Sequence, residues 1–87
     1  MIKALIIDDE ASAANVLQLM IERHVPEIKD LRIATKLGEA HSLIDQFQPQ
    51  LVFLDIVMPE KNGFEFLGEV KNIKFEIISP QLLMNTP

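Results

Sequence analysis

At 87 residues the chain has room for one domain and no more, and a domain this short buries only about 60–65% of its unfolded surface. Hydrophobic residues at 48% exclude a disordered chain, and the absence of cysteine excludes a disulfide framework and any thiolate metal site. A net charge of −5 with no cluster of Lys or Arg argues against direct binding to a nucleic-acid backbone, and five Phe as the only aromatics leave Ile, Leu and Val to fill the core.

Ile2 to Ile7 is a near-continuous apolar run broken only by Lys3, the pattern of a strand buried on both faces of a parallel sheet. It is too short for a signal peptide or a membrane span and ends in Asp8-Asp9, so a cytoplasmic protein with no membrane association is expected. Ala11 to Val25 has helical spacing, with Val16 and Leu17, Met20 and Ile21, then His24 and Val25 recurring on one side. Asp9 is the expected cap, Glu10 a first-turn acid, and Pro26 the stop. Leu31 to Thr35 alternates apolar and polar residues, as a strand near a sheet edge does. Gly38 to Phe47 predicts a second helix, with Ala40, Leu43, Ile44 and Phe47 on one face, and Pro49 follows it. Leu51 to Leu54 is a second buried run and ends in Asp55. Pro59, Asn62 and Gly63 mark a loop, Phe64 to Val70 a third helix with Phe66, Leu67 and Val70 inward, and Phe75 to Ile78 the beginning of another strand. Strands alternating with helices predict an α/β fold around a parallel sheet with right-handed crossovers.

Two apolar strands therefore end in carboxylates. In an open α/β sheet, ligands bind outside the carboxyl ends of the strands. If the two strands are adjacent and parallel, Asp8, Asp9 and Asp55 meet at one rim, where their like charges raise one another's pKa. No Arg or Lys stands at those strand ends to neutralise them, whereas a hard divalent cation such as Mg²⁺ would do so through oxygen ligands. Singly, such aspartates are ordinary solvated residues; two occurrences after two core strands favour the shared site.

The residues also match a known family. IKALIIDDE resembles the first strand and acidic pair of response-regulator receiver domains, and LVFLDIVMPEKNGFEFL resembles their phosphorylation strand and loop. The resemblance runs from Met1 to about Ile78 and is most similar to receivers joined to LytTR-type DNA-binding domains. It implies a flavodoxin-like, doubly wound parallel sheet. It also implies that Asp55 is the phosphoacceptor, and that Asp9 and Asp55 hold Mg²⁺ by their side chains. Asp8 would contribute directly or through water, and the backbone carbonyl of Val57 would be a further ligand. Met58-Pro59 and Gly63 would shape the loop. The implied partner is a sensor histidine kinase, and the implied role is a switch rather than an enzyme with turnover on a free metabolite.

The same resemblance exposes departures. A receiver has five strand–helix units, and this chain stops soon after the fourth strand begins, so the family's phosphate-binding Thr or Ser and Lys cannot be placed. The expectation is a truncated receiver over 1–78 and a non-family tail over 79–87. The tail, SPQLLMNTP, can be encoded so that one T restored in front yields FTTAFDEYA, the pattern expected of LytTR-associated receivers, which points to a single-base deletion near Ile78. Without a last helix, the first and third strands and the Leu17/Met20/Ile21 side are expected to stand open to water. With the fourth strand as an unprotected edge, they favour a homodimer or higher oligomer.

Two other functions compete with this one. One is a fragment that only self-associates, favoured by the missing fourth- and fifth-strand chemistry. The other is a Mg²⁺-dependent phosphohydrolase with an aspartyl nucleophile; many of these carry a second Asp two residues on, and here that position is Val57. His24 and His41 are read as surface or boundary residues, the four Met as core filler or chain start, and Lys61 as an exposed loop lysine.

Overall fold

The computed structural model describes residues 2–55 and 62–80. The elements alternate as expected: β1 (Ile2–Ile7), α1 (Ala11–His24), β2 (Ile28–Ala34), α2 (Leu37–Phe47), β3 (Leu51–Leu54), α3 (Gly63–Glu69) and β4 (Glu76–Ile78). All pairings are parallel, and the strand order is β2-β1-β3-β4. The two strongly apolar runs are thus the two central strands, where both faces are covered and side chains of either parity must be apolar.

One face of the sheet carries Leu5, Ile7, Val52 and Leu54 against Ala40 of α2 and Phe66 of α3, with Leu43, Ile44, Leu67 and Val70 packed around them. The other carries Ala4, Ile6 and Phe53 against Ala14, Leu17 and Ile21 of α1. This corrects the expectation of an open face on β1 and β3: Ala4, Ile6 and Phe53 are buried, because α1 and the flanking Leu31, Ile33, Leu51 and Ile78 close over them. Leu17 and Ile21 are buried too, whereas Val16 and Met20 point outward with Leu19. At about 100° per residue, Ala14, Leu17 and Ile21 form one stripe and Val16, Leu19 and Met20 the next.

Element ends differ from the sequence expectation for local reasons. β2 begins at Ile28, not Leu31, because Ile2 finds its pairing partner there across a bulge between Ile2 and Lys3. β4 begins at Glu76, not Phe75, with the Glu76 amide donating to the Gln50 carbonyl at 2.9 Å. α2 begins at Leu37, and Glu39 reaches back to accept from the Thr35 amide at 3.0 Å. Asn62, expected only as a loop residue, caps α3 by accepting from the Glu65 amide at 2.8 Å.

α2 is capped at its C-terminus by Gln48, whose φ of 52° is in the left-handed region. Lys3 Nζ donates to the Phe47 carbonyl at 2.8 Å and also lies over the Phe47 ring, so this corner is fastened to β1. Glycine takes a left-handed backbone without a Cβ penalty. Gln48→Gly is therefore expected to stabilise the fold by about 0.5 kcal/mol, net of the greater chain entropy of glycine when unfolded, read as a rise in the urea midpoint.

Candidate functional site

β1 and β3 pair in register with Ile7 opposite Leu54, and Ile7 also faces Ala34 of β2. One step further on, the Asp8 amide donates to the Ala34 carbonyl and the Asp55 amide to the Ile7 carbonyl, each at 3.1 Å. These two bonds carry the sheet ladder past the apolar strands and set both aspartates on the carboxyl rim. Asp8, Asp9 and Asp55 each offer a carboxylate oxygen there, and the three oxygens lie within 4.8 Å of one another. Asp8 and Asp55 are half-buried, and Asp9 is exposed.

This spacing fits a hard divalent cation. The donors are all carboxylate oxygens, and the exposed Asp9 side leaves room for the waters that Mg²⁺ retains. Asp8 registers the crowding: its carboxyl is pushed above the ordinary carboxylate range, chiefly by burial. The charges of Asp55, Asp9 and Glu10 add to the rise, against a hydrogen bond from the Glu10 amide that lowers it. That amide donates to Asp8 Oδ1 at 3.0 Å.

A carboxyl raised in the folded state binds its proton more tightly there than in the unfolded chain. Its effect on stability therefore turns unfavourable as pH rises from the ordinary carboxylate range through the raised value. Asp8→Asn keeps an oxygen acceptor for Glu10 and removes the charge. Allowing for solvent screening, it is expected to raise metal-free stability at pH 7 by about 0.5 kcal/mol, or roughly 2–4 °C, and to flatten the acid-side pH dependence in thermal melts.

Of the sequence-derived site residues, the structure brings Asp8, Asp9 and Asp55 together. Val57, Met58, Pro59 and Lys61 lie outside the described residues, and Gly63 is the buried first residue of α3. Asp9 does not cap α1, and Glu10 is not in its first turn: Glu10 is the N-cap residue, without a side-chain cap of its own, and Asp8 supplies the nearby oxygen. His24 is exposed at the end of α1. His41 packs its ring on Phe66 at 4.6 Å and pairs with Glu69 at 3.0 Å, tying α2 to α3 away from the rim. The Ala34 carbonyl and the Glu10 amide also build the site, and no side-chain pattern in the sequence marks such main-chain groups.

Known proteins share both sequence and shape with this chain. The family model described as the response regulator receiver domain matches residues 4–85. An uncharacterized response regulatory protein of Staphylococcus epidermidis is 40% identical over 78 residues, covering 90% of this chain and 31% of that protein. The sensory transduction protein LytT of Bacillus cereus is 35% identical over 74 residues, covering 85% and 30%. This chain thus spans less than a third of the length of these curated relatives. Among solved structures, the response regulator domain of Thermotoga maritima CheB superposes with a TM-score of 0.76 at 30% identity, covering 91% of this chain and 59% of that one. A structure of the histidine kinase ThkA in complex with the response regulator protein TrrA matches with a TM-score of 0.75 at 28% identity, covering 91% and 67%.

Proposed function

The chain belongs to the response-regulator receiver domain family of two-component signalling, and on that premise we propose that it accepts a phosphoryl group from a sensor histidine kinase on Asp55 in a Mg²⁺-dependent manner. The observation that carries this reading is the meeting of three carboxylates at the ends of β1 and β3. Asp9 and Asp55 would hold the cation by their side chains, Asp8 directly or through water, and Val57 by its carbonyl. When bound, Mg²⁺ neutralises charge on the transferring phosphoryl oxygens. A carboxylate oxygen of Asp55 attacks the phosphorus of a phosphohistidine. The P–N bond breaks as the P–O bond of an acyl phosphate forms, and the departing imidazole nitrogen takes up a proton. The protein contributes position: the ladder bond from Asp55 to Ile7 fixes the main chain of the nucleophile beside the other two acids.

ThkA and TrrA in complex support a kinase partner, since TrrA is itself a response regulator protein. A relative in Agrobacterium fabrum is a protein-glutamate methylesterase, but the match spans only 20% of that protein, so the reading here is a regulatory module without turnover of its own. Among the described residues no helix is long and apolar enough to cross a membrane. A cytoplasmic place and no direct contact with nucleic acid complete the proposal. The deciding experiment exposes the chain to a small phosphodonor with and without Mg²⁺ and reads intact mass. One phosphoryl adduct is expected for the wild type with Mg²⁺ and none for Asp55→Asn; an adduct of equal yield in Asp55→Asn sinks the assignment.

A second reading, a receiver fragment that only self-associates, is favoured by the outward Val16, Leu19 and Met20 of α1 and by β4 as the edge strand of the described sheet. It expects a dimer or larger species by light scattering and no adduct in the same test. The division into a receiver over 1–78 and an out-of-frame tail over 79–87 is likewise a proposal, and the gene read across the codon of Ile78 decides it.

A further inference from the structure

One hydrogen bond joins the carboxylate cluster to the start of α1. Glu10 occupies the N-cap position and gives no side-chain cap of its own. Its amide instead donates to Oδ1 of Asp8 at 3.0 Å, closing a tight turn of the kind an Asp side chain makes with the backbone two residues on. Asp8 is therefore held at two points: its own amide on Ala34 of β2, and its carboxylate on the amide that opens α1. The same carboxylate is one of the three whose oxygens converge within 4.8 Å.

We propose that the Glu10 amide is a positioning group for Asp8, and that cation binding at the rim is thereby linked to the order of the first turn of α1. The inference rests on the cation reading above and extends it to a residue that touches no ligand. The physical reason is mechanical. For the Glu10 amide to open, the Asp8 carboxylate must rotate away from it. Without a cation, repulsion from Asp9, Asp55 and Glu10 favours that rotation. With a cation shared among the three acids, the rotation also breaks a metal contact. The turn is then held closed more of the time, and the amide exchanges more slowly. By reciprocity, an amide that keeps Asp8 in place strengthens cation binding.

Residue-resolved amide hydrogen exchange on the full chain, with Mg²⁺ alone as the probe, tests this. In the wild type, saturating Mg²⁺ is expected to slow exchange of the Glu10 amide about fivefold, the size of a typical capping bond, and to leave Glu22 to His24 at the far end of α1 unchanged. In Asp8→Ala the metal-free Glu10 amide is expected to exchange about fivefold faster than in the wild type, and Mg²⁺ no longer slows it. Asp8→Asn retains the oxygen acceptor, so metal-free protection stays near the wild-type level, which separates loss of the turn bond from loss of the fold. Equal Glu10 exchange in wild type and Asp8→Ala overturns the proposal. So does Mg²⁺ that shifts the Asp9 and Asp55 resonances yet leaves Glu10 exchange unaltered. Failure of the functional reading looks different: Mg²⁺ shifts no rim resonance at all, which removes the linkage together with the cation site.

Discussion

Phe66→Ala is expected to leave little folded protein at 25 °C. Phe66 is fully buried and among the largest such side chains, set on α3 in the same core cluster as Leu54, Ile7 and Ala40. Emptying a buried Phe position costs about 3–5 kcal/mol through lost transfer energy and the cavity left behind. Native domains are stable by roughly 0.05–0.15 kcal/mol per residue, and a chain this short belongs near the bottom of that range. The loss is thus comparable to the whole stability. It is felt at a particular place, because α3 is short and Phe66 is its deepest contact with the sheet; the ring of His41 also rests on it. Urea unfolding followed by far-UV circular dichroism measures the effect, with Phe66→Leu as the control that preserves most of the volume. A midpoint within error of wild type for Phe66→Ala contradicts the packing described.

Removal of divalent cations by a chelator is expected to slow phosphoryl uptake on Asp55 by about a thousandfold. Neutralising charge on a transferring phosphoryl group contributes several kcal/mol to the barrier. Among the described residues three acids bring carboxylate oxygens within 4.8 Å of one another at this rim. With the cation gone, an anionic donor must approach carboxylates that already crowd one another. Asp9→Ala is expected to behave as a partial version, needing more Mg²⁺ to reach the wild-type rate, since Asp9 is the exposed donor of the three. Initial rates of adduct formation against Mg²⁺ concentration, at fixed ionic strength, give both numbers. A rate that ignores the chelator would mean that the acids do not act through a metal.

Much of this was legible in the residues. The runs at Ile2–Ile7 and Leu51–Leu54 announce central parallel strands because only burial on both faces tolerates apolar side chains of both parities. Aspartates closing both runs then had to share a rim once the strands proved adjacent. Less legible was α1. Its apolar residues number more than one contact stripe can use, so periodicity alone did not separate Leu17 and Ile21, which pack, from Val16 and Met20, which do not. The start of α1 is one residue later than a cap at Asp9 predicts: Glu10 is the N-cap, and it is Asp8, chemically identical to Asp9 in sequence, that accepts from the Glu10 amide. Only the backbone path decides which carboxylate reaches the Glu10 amide. The start of β2 is hidden in the sequence for a similar reason: Ile28, Lys29 and Asp30 carry no alternation, and it is their pairing with β1 that makes them strand.

The ladder that extends one residue beyond β1 and β3 gives the cluster a further property. A strand slipped by a single position would send Asp8 or Asp55 to the opposite side of the sheet and scatter the acids. Affinity for a divalent ion would therefore serve as a gauge of correct alignment: a misassembled chain could keep its helices and its compactness and still fail to take up the ion. Cation uptake during refolding would mark the moment at which the central strands lock.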